Sequence, residues 1–168
     1  LVPLSDKSSM APSTYAFFPV YPFLIRLIAI ATHNVEVSAL LLSLMLLMAN
    51  FFSFYHIVSK LYNRSIAIKA LFLFFFSPFS IFLRMYYTES IFLLLLLWCS
   101  YFLVKKRLVL ASLVFGFLAV TKSNASLIAL LILKRAIDQR RNIKKIMLYG
   151  ICMTLPLLGW FLFILIQT

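Results

Sequence analysis

Apolar runs broken by clusters of positive charge leave this chain few ways to fold. The runs are Val37 to Ser59, Ile66 to Leu83, Ser90 to Val104, Leu108 to Val120, Ala125 to Leu133 and Ile146 to Ile166. They are continuous, not alternating, so they do not fit the two-faced strands of a membrane β-barrel. Hydrophobic residues make up 64% of the 168 and charged ones 12%, with a mean hydropathy of +1.06. A soluble domain carries about 45–50% apolar and about 25% charged residues. The expectation is an all-α, polytopic transmembrane bundle of about six spans plus one interfacial helix. Val37–Ser59 and Ile146–Ile166 are the clearest spans. Ile66–Leu83 is interrupted by Ser77-Pro78, and Leu108–Val120 and Ala125–Leu133 are short, the latter open to lengthening by the amphipathic stretch after it.

The net charge is +12. On a soluble protein this would point to nucleic acid. Here the cations flank apolar runs, so they report topology and no nucleic-acid partner is expected. Lys60, Arg64 and Lys69 form one cluster and Lys105, Lys106 and Arg107 a second. Lys134, Arg135, Arg140, Arg141, Lys144 and Lys145 form a third, within a basic loop read over Lys134–Lys145. These are twelve of the 16 basic residues. They fall in alternate loops, which places those loops in the cytoplasm. Residues 1–15 then form a luminal loop, residues 16–33 an interfacial or re-entrant helix, and residues 37–166 the transmembrane helices. Phe23–Thr32 is too short to span, since a span needs about 20 residues, and Arg26 can snorkel to the headgroups. The opening Leu1-Val2-Pro3 reads as the start of a piece of a longer protein.

The polar stretch Arg84-Met85-Tyr86-Tyr87-Thr88-Glu89-Ser90 stands between two apolar runs and holds one of only four acidic residues. Two readings of Glu89 stay open. It is an acid favoured by the dipole at the start of the helix Ser90–Val104, or part of a site facing water at the membrane edge. Arg84 and Lys122 either snorkel to lipid phosphates or hold a bound one. Arg84, Tyr87, Glu89, Lys122 and Asn124 all fall on the non-cytoplasmic side and are the candidates for binding substrate or lipid phosphate. Asn63-Arg64-Ser65 and Asn124-Ala125-Ser126 match glycosylation sequons. The first is cytoplasmic in this topology and the second lies against the membrane, so neither is read as an acceptor. Cys99 and Cys152 lie in apolar runs as thiols. His33 and His56 lack partners at metal spacing, and no metal or cofactor site is read.

Three stretches carry a resemblance. Ala16-Phe17-Phe18-Pro19-Val20-Tyr21-Pro22 resembles the Phe-Phe-Pro segment of the GPI mannosyltransferase 2 (PIG-V type) family. Ser77-Pro78 with Tyr87-Thr88-Glu89-Ser90-Ile91-Phe92 is similar to its Ser-Pro…Tyr-Ser-Glu-x-x-Phe motif. Thr121-Lys122-Ser123-Asn124-Ala125 is similar to its Arg-Ser-Asn-Gly motif. Thr88, Lys122 and Ala125 stand where that family has Ser, Arg and Gly. The resemblance covers Ala16 to about Leu133 and implies a GT-C-like glycosyltransferase of the endoplasmic reticulum membrane. Such an enzyme transfers mannose from dolichyl-phosphate mannose to a glycosylphosphatidylinositol precursor in the lumen. It implies no cofactor, since the donor is lipid-linked. Membrane lipids, the donor and the GPI precursor are the expected partners, with an accessory membrane subunit as a further one. The catalytic acid of the family lies in a Trp-Asp motif ahead of the Phe-Phe-Pro segment. It is therefore expected upstream of Leu1, and this stretch alone is expected to be inactive.

An inverting transfer needs a carboxylate to deprotonate the acceptor hydroxyl. It also needs cations for the departing phosphate, the role open to Arg84 and Lys122. Glu89 is read as orienting or structural, by binding the acceptor, a cation or Arg84. Two other classes remain. A small-solute transporter would show paired halves and helices broken at the midplane. A non-catalytic assembly subunit would show the same topology without the acidic motif.

Overall fold

In a computed structural model, residues 20–81, 88–122, 125–138 and 142–167 are described. They form seven α-helices, with no strand among the described residues. These are α1 (Val20–Thr32), α2 (Val35–Leu61), α3 (Arg64–Phe75), α4 (Glu89–Val104), α5 (Leu108–Ala119), α6 (Ser126–Asp138) and α7 (Ile143–Gln167). The chain is thus all-helical. Two stretches, Val35–Leu61 and Ile143–Leu162, are long and apolar enough to cross a membrane. The other helices run 12 to 16 residues.

Local chemistry explains the helix ends. Asn34 Oδ1 accepts from the Glu36 and Val37 amides at 2.9 and 3.2 Å, opening α2. Asn63 Oδ1 accepts from Ile66 N at 2.8 Å, opening α3. Both satisfy amides that a helix start leaves without a partner, so the asparagine of the Asn63 sequon is a helix cap. Pro22 falls in the first turn of α1, where its missing N–H costs nothing. Ser77-Pro78 ends the third apolar run as a helix. The α-helix stops at Phe75 and Pro78–Ser80 form a 3-10 turn, because proline disfavours helical backbone at the residue before it. The described part of the run read as Ile66–Leu83 is therefore broken between the 12-residue helix α3 and this turn. At the end of α4, Lys106 takes φ 58°. Lys106 N donates to Leu103 O at 3.1 Å and Arg107 N to Phe102 O at 2.9 Å. This double bond pattern usually has glycine at its left-handed position.

The basic loop expected over Lys134–Lys145 is a correction. α6 continues to Asp138 and α7 begins at Ile143. The charge pattern suggests a loop, but Ile132 and Ala136 sit one turn apart on one face and are buried. Ala136 joins Leu108 and Tyr149 in a small core at this end, while Lys134 and Arg135 are exposed. An amphipathic face, not the charges, decides the helix length.

The helices run alternately up and down. α1 folds back along α2 through His33 and Asn34, burying Tyr21 against Leu42, Leu46 and Ile91. α3 returns along α2 with Phe54 stacked on Phe74, ring centres 5.0 Å apart. α4 runs parallel to α2, and α5 returns along α4, with Cys99, Ala111, Phe115 and Leu118 in the main core. α6 and α7 complete the core through Ile132 and Met153. This alternation puts the described members of all three basic clusters at one end of the bundle. The outside is apolar: Leu73, Phe76 and Ile30 are 78%, 79% and 74% exposed. α7 presents Met147, Ile151, Leu155, Leu158 and Leu162 outwards.

α5 and α7 come into close contact at a glycine. A Cβ on Gly116 would lie 2.7 Å from Pro156 Cγ and 2.9 Å from the Cys152 carbonyl oxygen. Pro156 has no N–H to give the Cys152 carbonyl, four residues earlier. That carbonyl instead faces the bare Cα of Gly116. A methyl group added at Gly150 or Gly159 would meet nothing within 4 Å. Thermal unfolding in detergent should therefore separate two alanine variants. Gly116→Ala is expected to destabilise by about 1–3 kcal/mol. Gly150→Ala is expected to be neutral or stabilising by up to about 1 kcal/mol through helix propensity.

Candidate functional site

The site is built where α4 starts and α5 ends. Glu89 is the first residue of α4, in the turn where the helix dipole favours an acid. The N-terminal flank, Thr88, makes no side-chain cap. Lys122 follows the end of α5, after a last turn closed by Lys122 N donating to Leu118 O at 3.2 Å. Beside it Thr121 is buried and donates its hydroxyl to Phe117 O at 2.9 Å, which anchors the segment to α5.

From these positions Lys122 Nζ reaches Glu89 Oε1 at 2.8 Å. The two side chains are 35% and 34% exposed. It is the one ion pair among the described residues that the structure forms, and it joins positions 33 residues apart. The ammonium also lies 5.8 Å from the centre of the Phe92 ring, one turn into α4. Aromatic face and carboxylate together hold the cation. Glu89 Oε2 is closed to solvent and has no hydrogen-bond partner among the described residues.

Glu89 thus opens α4 and also binds a cation. Of the candidates, the structure brings Glu89 and Lys122 together. Arg84, Tyr87 and Asn124 lie outside the described residues, as does Phe17–Pro19. The segment following Phe17–Pro19 is placed: Tyr21, in the first turn of α1, packs on Ile91 in the first turn of α4. Ser80, closing the 3-10 turn after Ser77-Pro78, is buried.

The charge pattern does not point to Asn50. It sits in the middle of α2, fully buried, and its Nδ2 donates at 2.8 Å to both Leu46 O and Ser90 O. One turn on, Trp98 Nε1 donates to Ser53 Oγ at 3.1 Å. The signal in the sequence is a lone amide inside a long apolar run, where a polar group has to find a partner. No group of three or more His, Cys, Asp or Glu residues that could hold a metal occurs among the described residues. Comparison with family models, with curated proteins and with solved structures finds no match for this chain.

With a third of each side chain exposed, the pair should contribute modestly. A double-mutant cycle with Glu89→Gln and Lys122→Met, read by thermal unfolding in detergent, is expected to show a coupling of about 0.5–1 kcal/mol. The coupling should shrink as salt is raised.

Proposed function

We propose that this chain belongs to the membrane-embedded part of a multi-pass mannosyltransferase of the endoplasmic reticulum. It would use dolichyl-phosphate mannose to extend a GPI precursor. The observation that carries this reading is the Glu89–Lys122 ion pair at 2.8 Å. Its two members come from two of the three stretches that resemble that family. The helix that follows the third packs against the same first turn of α4 through Tyr21. Described residues from all three stretches therefore come together at the first turn of α4, away from the basic end.

Membrane embedding is supported by the apolar exterior and by two helices of sufficient length. With α2 across the bilayer, the pair is recessed. Glu89 lies 16 residues before Lys105, so at 1.5 Å per residue it stands about 24 Å from the basic end. That is inside a hydrocarbon layer about 30 Å thick. Ionisable groups at such depth are expensive, pair with one another and mark functional paths.

The chemistry of the pair suits a cation held ready for phosphate. An ammonium has three donors, and Glu89 Oε1 takes one. No described residue takes the other two, which can meet phosphate oxygens as the sugar leaves and negative charge builds up there. Glu89 orients Lys122, and the general base lies elsewhere in the enzyme. The short helices α4 to α6 favour a second reading, a small-solute transporter.

Mannose transfer in membranes expressing the complete enzyme separates these. Lys122→Ala and Glu89→Gln are each expected to lower transfer by about 10²-fold, with Lys122→Arg retaining most activity. Transfer unchanged in both would remove the site. Solute uptake by proteoliposomes, lost in the same variants, would establish the transporter instead.

A further inference from the structure

We propose that Asn50 is the positioning residue of this site: it holds the first turn of α4 where Glu89 meets Lys122. The amide is fully buried, and its Nδ2 donates at 2.8 Å to Leu46 O on its own helix and to Ser90 O on α4. Both partners are carbonyls, so the NH2 group has to face them. The reverse orientation would set oxygen against oxygen twice. The side chain is therefore locked, with one hydrogen on each helix.

Ser90 directly follows Glu89, so this bond acts on the turn that carries the carboxylate. Ser90 is itself buried, and Ile91 beside it packs on Leu42, Leu46 and Tyr21. A displacement of the first turn of α4 by one helical residue would shift Glu89 by about 1.5 Å. Unless Lys122 followed, the 2.8 Å contact would open beyond hydrogen-bond reach. The Ser53–Trp98 bond ties the same two helices further along, beyond the first turn of α4, and leaves Glu89 untouched.

Asn50 also has a cost that packing alone does not explain. Its Oδ1 is buried without a hydrogen-bond partner among the described residues. An unsatisfied buried acceptor is destabilising, and leucine at this position would remove it.

The catalytic meaning of this assignment rests on the transferase reading, but the test does not. A carbodiimide joins a carboxylate to an amine as an amide only when they touch. Applied to the purified chain in detergent, followed by mass spectrometry, it measures Glu89–Lys122 contact directly, with Glu89→Gln as the blank. Asn50→Leu is expected to cut the cross-linked fraction about five-fold, the shift produced by losing one net hydrogen bond. Asn50→Thr, whose hydroxyl can return to Leu46 O but falls short of Ser90 O, should do the same and serves if the leucine variant does not fold. Ser53→Ala should cross-link as the parent does. Unchanged cross-linking in a folded Asn50 variant, an equal loss in Ser53→Ala, or no cross-link in the parent chain would each overturn the proposal. No sugar transfer enters the measurement, so the transferase reading stands or falls separately.

Discussion

On a surface this apolar, a backbone N–H or C=O has to find its partner within the chain. That requirement shapes the whole molecule. Helices satisfy it along their length, and the ends are closed by local devices. Asn34 and Asn63 cap α2 and α3. Lys106 accepts a left-handed conformation so that Phe102 and Leu103 carbonyls are both bonded. Inside α7, Pro156 leaves the Cys152 carbonyl without its helical donor, and the absence of a side chain at Gly116 lets α5 close over it. A close helix contact therefore sits where the backbone is least satisfied.

Side-chain placement follows from the same constraint, in a pattern inverted from that of a soluble domain. Large apolar residues crowd the outside, while Ser38, Ser43, Asn50, Ser53, Ser90, Ser112 and Thr121 are buried. Where the surroundings are as apolar as the core, burying leucine gives no net drive to associate. Small residues and hydrogen bonds then direct helix docking. Some of these polar groups bond only within their own helix, as Ser112 does to Leu108 O at 2.8 Å. Asn50 and Trp98 both bond α2 to α4. Of the two, the Asn50 bond acts on the first turn of α4, and it decides where Glu89 lies.

The ion pair is a consequence of this placement. α4 begins beside the middle of α2, not beside its end, so the acid that opens α4 is recessed within the bundle. Lys122 arrives at the same level because α5 returns antiparallel from a short turn at Lys105–Arg107. Glu89 is accordingly both a helix-opening acid and a cation ligand. Its position makes the first role inevitable, and the fold adds the second.

Most helices, their order and the gathering of positive charge at one end were legible in the sequence, because composition and run length report them directly. Their ends were less so: the stretch after Leu133 read both as an amphipathic lengthening of its helix and as a basic loop, and the break after Phe75 was visible only as Ser77-Pro78. By itself, the sequence determined that the chain is helical and apolar outside, and that Glu89 and Lys122 fall on the same side of the topology. Only the tertiary structure decided that these two residues touch, that Asn50 reaches Ser90, and that Gly116 rather than Gly150 or Gly159 is the close-packed glycine. Periodicity and charge describe one element at a time, whereas these contacts depend on the translation of one helix along another, which only side chains meeting in three dimensions can set.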